Sequence, residues 1–171
     1  MNLIDALQGR RSIREYTADL ISREKIIALI KAAETAPSAG NLRARFYFVV
    51  SNPQIRKALA IAAYGQSQVQ TAPLLIVVCA DTGRSSSRYG DRGGLYGIQD
   101  ATAATMCLLL AAYDMGLGAC WNGAFNDQVV RDVLNLHRDL LPVAILSIGW
   151  PAEIPSAPNA RELEEVISWI E

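Results

Sequence analysis

The segment from Ile98 to Met115 constrains the fold more than any other part of this sequence, because it is apolar on every side of a helix. Its first half is rich in alanine, its second half contains the run LLLAA, and Gly116 follows as a residue typical of a helix end. A helix without a polar face has to be covered by protein on all sides. The sequence therefore predicts a central helix around which the other elements pack.

Helices and apolar strands alternate along the rest of the chain. Strands are predicted at residues 46–50, 74–80, 119–121 and 142–148. Helices are predicted to begin after the capping residues Asn2, Ser22, Asn52 and Asn126. Residues 82–97 are rich in glycine, serine and arginine and predict a long loop. The alternation predicts a helix-flanked sheet, with parallel and antiparallel strand order both open, in a single domain over residues 1–171.

The charge balance bears on the partners of this chain. It has 16 Lys and Arg against 17 Asp and Glu, a net charge of −1, so it lacks the basic field that non-specific nucleic-acid binding requires. Only 19% of its residues are charged, whereas soluble domains average about 25%. This shortage of solvating residues favours a homo-oligomer in which a second copy covers apolar surface.

Metal sites, membrane segments and export signals are not expected. Cys79, Cys107 and Cys120 are widely spaced in apolar runs and are predicted to be buried free thiols of a reducing compartment. His137 is the only histidine and is predicted to lie on the surface, which disfavours a metal site. No stretch reaches 18 uninterrupted apolar residues, and the charged N-terminus lacks the apolar core of a signal peptide. The sequence therefore favours a cytoplasmic protein.

Several familiar enzyme motifs are missing. Gly116-Leu117-Gly118 begins like a dinucleotide fingerprint, but Trp121 occupies the third glycine position, and a helix precedes the segment where the fingerprint needs a strand. The sequence has no P-loop, and its lone histidine, without a G-x-S-x-G serine, provides no hydrolytic triad. These observations argue against classical nucleotide-binding folds and hydrolases.

A cluster of cations near the N-terminus is the first candidate site. It consists of Arg10, Arg11, Ser12 and Arg14. Guanidinium groups this close repel one another unless an anion or acidic side chains lie among them, and arginine binds phosphate through paired hydrogen bonds. Two interpretations stay open: a phosphate site, or a solvated turn whose arginines pair with Glu15 and Asp19.

Two polar turns are further candidates. Pro37, Ser38 and Asn41 follow a helix and offer short hydrogen-bonding side chains, with an ordinary turn after a helix as the alternative interpretation. Gly123 lies in the sequence WNGAF, where a glycine lets backbone N–H groups come close to a planar ligand. Taken alone, that segment is a turn between a strand and a helix.

These segments occur together, in this order and at these separations, in one known family. The motifs are RRSIREY near the N-terminus, PSAGN about 25 residues later, APLLIVV, MGLGACWNGAF and IGWPAEIP. On them the chain resembles the FMN-dependent nitroreductase family in its short form, from Leu3 to about Val166. The combination of RRSIR, PSAGN and GLGACW makes this resemblance specific.

The resemblance implies a fold, an assembly and an activity. The fold is α+β, with a central mixed β-sheet flanked by helices, and the assembly is an intertwined homodimer. Two FMN molecules lie at the subunit interface, each bound by both chains. The implied activity passes hydride from NADH or NADPH through flavin N5 to a nitroaromatic, quinone or flavin acceptor by a ping-pong mechanism. It needs no obligatory acid or base from the protein.

The resemblance also implies the residues around the phosphate and the pyrimidine end of FMN. The phosphate and ribityl ligands are Arg10, Arg11, Ser12 and Arg161 of one chain. Arg14 takes the position of a cation near the pyrimidine end, where a fixed positive charge stabilises the negative charge that develops on the flavin.

A second set of residues is implied around the flavin ring. The partner subunit supplies Pro37, Ser38 and Asn41. Gln68 takes a position at which other members place a Lys or Gln against the ring, and the turn at Gly123 and Ala124 presents a backbone N–H to N5.

Two segments depart from the family pattern. Many members follow the asparagine with x-Gln-Pro-Trp, whereas here Leu-Arg-Ala-Arg occupies positions 42–45, on the implied substrate side. The lid of many relatives is reduced to residues 82–97, where Tyr89 or Tyr96 could stack on a ring-shaped acceptor, pack in the core or lie in solvent. Asp100 is expected to be a charge at the start of the central helix rather than a catalytic acid.

Two other functions are compatible with this sequence. One is an FMN-binding carrier or sensor protein without NAD(P)H turnover, whose flavin would resist NADH and NADPH but respond to dithionite. The other is an apolar dimeric scaffold whose arginine cluster binds an acidic peptide and which would show no flavin absorbance.

Overall fold

The computed structural model describes residues 2–159 and 161–171, which contain four strands and seven α-helices. The strands are β1 (Arg45–Val50), β2 (Leu74–Asp81), β3 (Gly118–Asn122) and β4 (Leu140–Gly149). The helices are α1 (Leu3–Gly9), α2 (Arg23–Glu34), α3 (Pro53–Ala62), α4 (Ser67–Thr71), α5 (Thr82–Tyr89), α6 (Gly93–Asp114) and α7 (Asp127–Leu134). Short 3₁₀ helices occupy Ala39–Asn41, Gly90–Arg92 and Leu163–Glu165. The predicted α+β class is confirmed.

Four helices begin where the sequence predicts a cap. The side chains of Asn2, Ser22, Asn52 and Asn126 each accept a hydrogen bond from a backbone N–H two or three residues further on. Such a bond satisfies one of the donors that the first helical turn leaves without a partner, and is worth about 1 kcal/mol. The caps therefore fix the starts of α1, α2, α3 and α7.

The sheet is antiparallel in all three ladders, in the order β1-β2-β4-β3. The mixed character that the resemblance implies is limited, in the described part of this chain, to an isolated parallel bridge between Ser12 and Ala119 beside β3. β1 and β3 are the two edge strands. This order matters for the site because Ser12 lies at the β3 edge, whereas the segment 37–41 leads into β1 at the opposite edge.

Helices cover both faces of the sheet. On one face, α2 and α6 pack with Ile76, Val78 and Leu146. On the other face, α3, α4 and α7 contribute to a second core cluster with Leu75 and Val77. The continuously apolar β2 is therefore buried on both faces, as predicted.

The central helix α6 begins at Gly93 rather than at the predicted Ile98. The stretch Thr82–Asp114, which contains it, is long and apolar enough to span a membrane by length and composition, with a hydropathy of 1.3. However, α6 packs on the sheet and on α2 as the core helix of this fold. Part of its surface stays uncovered, since Leu95 is 46% exposed and Met106 is 36% exposed. The chain by itself does not bury this helix from all sides.

The prediction of a long loop at residues 82–97 is wrong, because this segment is mostly helical. The carboxylate of Asp81 accepts a hydrogen bond from the backbone N–H of Arg84 and caps α5. Gly90, with a φ of 54°, turns the chain between α5 and α6. Gly93 allows the two segments to touch, since a Cβ there would lie 2.3 Å from the Cα of Ser86. The glycines that suggest a loop serve a turn and a close helix contact instead.

The tail after β4 exposes large apolar side chains. Ile154 is 99% exposed, Trp169 82% and Ile170 96%. Apart from an isolated bridge between Tyr16 and Pro151 and one 3₁₀ turn, the described part of this tail forms no regular element. Large apolar side chains exposed to this degree are apolar surface that another molecule can cover.

Candidate functional site

The N-terminal arginines surround a cavity beside the edge strand β3. Ser12 forms the parallel bridge to Ala119, and the backbone N–H of Ile13 donates to the carbonyl of Ala119 at 3.1 Å. These bonds fix the cluster next to β3. A cavity of about 460 Å³ opens there, lined by Arg10, Arg11, Ser12 and Arg14 together with Leu7, Pro155, Ser156 and Pro158. The structure thus brings four predicted site residues to one cavity.

The structure does not show the alternative arrangement, in which these arginines form ion pairs with Glu15 and Asp19. Within residues 2–159 and 161–171, no ion pair involves Arg10, Arg11 or Arg14. Asp19 instead accepts a hydrogen bond from the hydroxyl of Thr17 at 2.8 Å. The three guanidinium groups around the cavity therefore have no ion-pair partner among the described residues.

The donors of the cluster are only partly used. Arg11 donates to the carbonyls of Gln8 and Arg10, both at 2.8 Å, and Arg14 donates to the carbonyl of Ser12 at 3.4 Å. The Nε of Arg10 is buried and has no hydrogen-bond partner. A buried guanidinium N–H without an acceptor is costly. An anion in the cavity would supply that acceptor, so the donor set fits a phosphate.

Glu153 is a residue of this site that motif reasoning does not single out. Its carboxylate accepts hydrogen bonds from the backbone N–H groups of Arg14, at 2.5 Å, and of Glu15, at 3.3 Å. These bonds hold the backbone of the cluster and leave the Arg14 guanidinium unpaired. The only sequence signal for this role is the position of Glu153 within the IGWPAEIP motif.

The segment 37–45 is a second, pre-organised group. The backbone takes left-handed conformations at Gly40, Asn41 and Arg43, with φ values of 56°, 54° and 50°. The hydroxyl of Ser38 accepts a hydrogen bond from the backbone N–H of Arg43 at 2.9 Å. Such a strained turn persists only because its surroundings hold it. Pro37 and Asn41 are exposed and Ser38 is half-buried beside them.

Asp100 holds this turn, which corrects the expectation of a charge at a helix start. It lies inside α6 and is 4% exposed. Its carboxylate accepts from the backbone N–H of Ala39 at 2.9 Å and from that of Ala44 at 3.3 Å. Two backbone donors that a tight turn would leave unpaired are thereby satisfied. Asp100 is a structural acceptor for the segment that carries Ser38 and Asn41.

Arg45, one of the arginines at positions 42–45, is buried and donates to acceptors within the protein. Its Nε donates to Glu34 at 2.8 Å, and its side chain has 0% exposure. It also donates to the carbonyls of Glu34 and Ala36 near the C-terminus of α2. Arg43, by contrast, is exposed.

A third group lies at the end of β3. The amide of Gln68 donates to Asn122 at 2.7 Å, and that of Gln66 donates to the carbonyl of Ala124 at 2.8 Å. The two glutamines therefore tie the start of α4 to the turn at Gly123 and Ala124, which are both exposed. Gln68 itself is buried, at 8% exposure.

Asn122 connects this third group to the arginine cavity, and sequence reasoning misses it because it ends an apolar strand. Its amide donates to the carbonyl of Ile145 at 2.8 Å and to the hydroxyl of Ser147 at 3.2 Å. The same Ser147 hydroxyl lies 3.0 Å from the hydroxyl of Tyr16, just after the arginines. One polar network thus joins both groups at the β3 side of the sheet.

The structure separates the predicted ligands into two sets. Arg10 to Arg14, Gln68, Gly123 and Ala124 belong to the β3 side, whereas Pro37, Ser38 and Asn41 precede β1 at the other edge. Neighbouring strands are about 4.8 Å apart, so the edges of a four-stranded sheet are about 14 Å apart. Arg161 lies in the exposed tail, where it pairs with Glu165 at 3.1 Å. One chain does not bring all predicted ligands together.

The titratable groups near the cavity are suited to structure rather than to proton transfer. Burial raises the pKa of Tyr16, and burial also raises the pKa of Cys120 despite the nearby Arg14. Both groups therefore stay protonated at neutral pH. Cys79 and Cys120 are buried free thiols as predicted, while Cys107 is only half-buried. No group of His, Cys, Asp and Glu in the described ranges could hold a metal ion.

Comparisons with known proteins show which family this chain is similar to. The model of the nitroreductase family matches residues 7–71 and 62–150. The oxygen-insensitive NADPH nitroreductase of Salmonella typhimurium is 30% identical, over 96% of this chain and 72% of the relative. The FMN reductase (NADPH) of Bacillus subtilis is 29% identical, over 90% of this chain and 67% of the relative. The solved NfrA1 nitroreductase from B. subtilis superposes with a TM-score of 0.91 at 27% identity, over 98% of this chain and 73% of that chain.

Proposed function

The chain belongs to the nitroreductase family and is an NAD(P)H-dependent flavin oxidoreductase, and we propose that its arginine cavity binds the phosphate of FMN. The observation that carries this assignment is the buried Nε of Arg10, which has no acceptor. The guanidinium groups around the cavity also form no ion pair in the described residues. A phosphate supplies both the missing acceptor and the missing negative charge. Arg11 and Ser12 complete the donor set, and Arg161 joins them from the tail.

In this proposal, residues on the β3 side of the sheet would hold the flavin ring. Arg14, whose guanidinium forms no ion pair in the described residues, provides the cation for the pyrimidine end. Gln68 and the turn at Gly123 and Ala124 provide the ring contacts, and Asn122 positions both through its bond to Gln68. FMN, when bound, supplies the two-electron chemistry of taking up and passing on a hydride. The chain supplies binding, orientation and positive charge.

The pKa values fit a reaction in which the protein donates no proton. Tyr16 and Cys120 lie close to the cavity, but burial raises the pKa of each, so neither serves as a general acid or base near pH 7. We propose a ping-pong mechanism in which NAD(P)H leaves before a small nitroaromatic, a quinone or a second flavin occupies the same place. Free thiols at all three cysteines are compatible with a cytoplasmic location.

A homodimer is part of this proposal because the predicted ligands lie at opposite edges of the sheet. Pro37, Ser38 and Asn41 of the partner subunit would complete the site that Arg10 to Arg14 begin. The incompletely covered α6 and the exposed apolar tail support the same assembly, since both leave apolar surface that a second copy can bury.

An anaerobic titration tests the function. Purified protein incubated with FMN and freed of excess ligand should be yellow, and NADH or NADPH should bleach the bound flavin. Bound flavin that resists both donors but responds to dithionite would indicate a carrier or sensor instead. Protein that stays colourless after incubation with FMN would contradict the proposal.

A further inference from the structure

A second group of cations lies on the α5 side of the molecule. It consists of Arg43, Arg84, Arg88 and Arg92, all exposed, with the half-buried Tyr89 and Tyr96 between them. We call these six residues the arginine–tyrosine patch. The proposed binding of FMN does not use it.

The two tyrosines order the patch. Their ring centroids are 4.9 Å apart in an edge-to-face arrangement, so the two rings contact each other. The guanidinium of Arg88 lies 5.7 Å from the centroid of the Tyr89 ring, and that of Arg92 lies 5.2 Å from the Tyr96 ring. Arg92 also donates to the hydroxyl of Tyr96 at 3.0 Å. The guanidinium groups are therefore held in place, which lowers the entropic cost of binding an anion.

The patch has a net positive charge. Arg84 and Arg88 donate to the carbonyls of Leu42 and Gly40, at 2.5 and 3.5 Å, and none of the four arginines forms an ion pair in the described parts of the chain. Four acids lie near the patch. Asp81 caps α5, Asp139 is near His137 and Arg138, Glu34 pairs with Arg45 and is also acted on by the charge of Arg43, and Asp91 is the exposed acid between Arg88 and Arg92.

The patch touches the turn that the proposed function assigns to the flavin site. A Cβ on Gly40 would lie 2.4 Å from the hydroxyl of Tyr89 and 3.0 Å from a terminal nitrogen of Arg88. The patch is thus in direct contact with the segment that carries Ser38 and Asn41. A substrate whose reactive ring reaches the flavin can extend its remaining part over this surface.

We propose that the arginine–tyrosine patch binds the 2′-phosphate of the adenosine moiety of NADPH and makes NADPH the preferred electron donor. This inference rests on the proposed function of the neighbouring site. NADH and NADPH differ only in that phosphate, which adds negative charge that fixed guanidinium groups bind through paired hydrogen bonds. Stacking of the tyrosine rings against adenine supplies contact area that both donors share.

Rapid-mixing measurements of flavin reduction test the proposal. In the FMN-loaded wild-type protein, NADPH should give an at least tenfold lower apparent Kd than NADH. Arg88→Gln and Arg92→Gln should each raise the Kd for NADPH about tenfold, the effect of one charge-assisted hydrogen bond. The Kd for NADH and the limiting rate of reduction should stay within about twofold of the wild type. The matched control Arg138→Gln, at an 89% exposed side chain, should change neither constant.

A positioning defect of the turn would behave differently. Arg88 lies against Gly40, so its loss could disturb the turn, whereas the contacts of Arg92 are with Tyr96. An effect of Arg88→Gln alone, or equal losses for NADH and NADPH, would overturn the proposal. Equal use of both donors by the wild type would overturn it as well.

A binding measurement separates this proposal from the proposed function. Calorimetric titration of the FMN-loaded protein should show 2′,5′-ADP binding at least tenfold more tightly than 5′-AMP, and Arg92→Gln should remove that difference. If neither donor bleaches the flavin but 2′,5′-ADP binds in this way, the oxidoreductase function fails and the phosphate site stands. If both donors bleach the flavin but 2′,5′-ADP and 5′-AMP bind alike, the phosphate site fails and the oxidoreductase function stands.

Discussion

At the scale of single residues, Arg10 and Arg56 each have a buried Nε without a hydrogen-bond partner, and of the two only Arg10 lines the arginine cavity. We expect Arg10→Ala to weaken FMN binding by about 1.5–3 kcal/mol, since the substitution removes charge-assisted hydrogen bonds to the phosphate. Fluorescence titration of the flavin-free protein with FMN measures this loss.

Arg138→Ala is the matched control for Arg10. The Arg138 side chain is 89% exposed and approaches Asp139 at 3.8 Å, a contact of the kind that contributes little. FMN affinity should stay within about 0.5 kcal/mol of the wild type. Equal losses in the two variants would mean that the phosphate lies elsewhere.

Residue types alone predict some of these roles and not others. Three guanidinium groups in a short stretch predict an anion site because their mutual repulsion needs an explanation. Asp100 and Asn122 carry no such signal, because their roles depend on partners that are distant in sequence. Asp100 binds Ala39 and Ala44. Asn122 binds Gln68 and Ile145. Only the fold shows that they are acceptors and donors inside the core.

At the scale of elements, Arg45 joins the end of α2 to the start of β1. Carbonyls in the last turn of a helix lack partners within the helix, and the guanidinium of Arg45 satisfies those of Glu34 and Ala36. The Glu34 carboxylate accepts from Arg45 and from the hydroxyl of Tyr47, both at 2.8 Å. This clamp sets the position from which the turn at residues 37–45 departs.

The clamp predicts a pH dependence of stability. Burial alone would raise the pKa of Glu34, but the hydrogen bonds from Arg45 and Tyr47 and the charges of Arg45 and Arg43 outweigh it and lower the pKa. Because the pKa of Glu34 is lowered on folding, its charge stabilises the folded protein at any pH above the pKa of an unfolded glutamate, about 4.3. This stabilisation is lost as the pH falls through the pKa of Glu34 in the folded protein. Urea unfolding should therefore show that Glu34→Gln loses less free energy of unfolding between pH 6 and pH 3 than the wild type does.

The expected stabilisation at neutral pH is on the order of 1 kcal/mol, because Glu34 remains partly exposed to solvent. Glu15→Gln, at an exposed carboxylate, serves as the control and should keep the pH profile of the wild type. A Glu34→Gln variant whose stability falls with acid as steeply as that of the wild type would contradict the clamp.

Elements differ in how well the sequence predicts them. The caps and the strand β2 are predicted because hydrogen-bonding side chains and a continuous apolar run act locally. α5 is missed because its composition suits a loop, and its helical state depends on the Asp81 cap and on close packing at Gly93. The antiparallel order of the strands is a property of connections between distant segments, which local patterns do not encode.

At the scale of the whole molecule, the sheet order explains why one chain holds only part of the proposed site. The arginine cavity lies beside β3, and the turn with Ser38 and Asn41 leads into β1, so the two half-sites are at opposite edges. A symmetric dimer can bring each half-site to its complement and form two equivalent sites. The proposed dimer would also account for the shortage of charged residues in the sequence, since surface hidden in a dimer needs no solvation.

The tail tests that assembly. Trp169 and Ile170 are 82% and 96% exposed in the single chain, which suits apolar anchors that a partner subunit covers. We expect the wild type to sediment at twice the chain mass of 18.6 kDa. Deletion of residues 162–171, which keeps Arg161, should shift the protein toward monomer. FMN binding should then weaken at least tenfold, although Arg10 to Arg14 are intact, because a monomer lacks the half-site that the partner subunit provides. Glu171→Gln, at the exposed end of the same tail, should leave both properties unchanged. A monomeric deletion variant that binds FMN as tightly as the wild type does would show that a single chain completes the site.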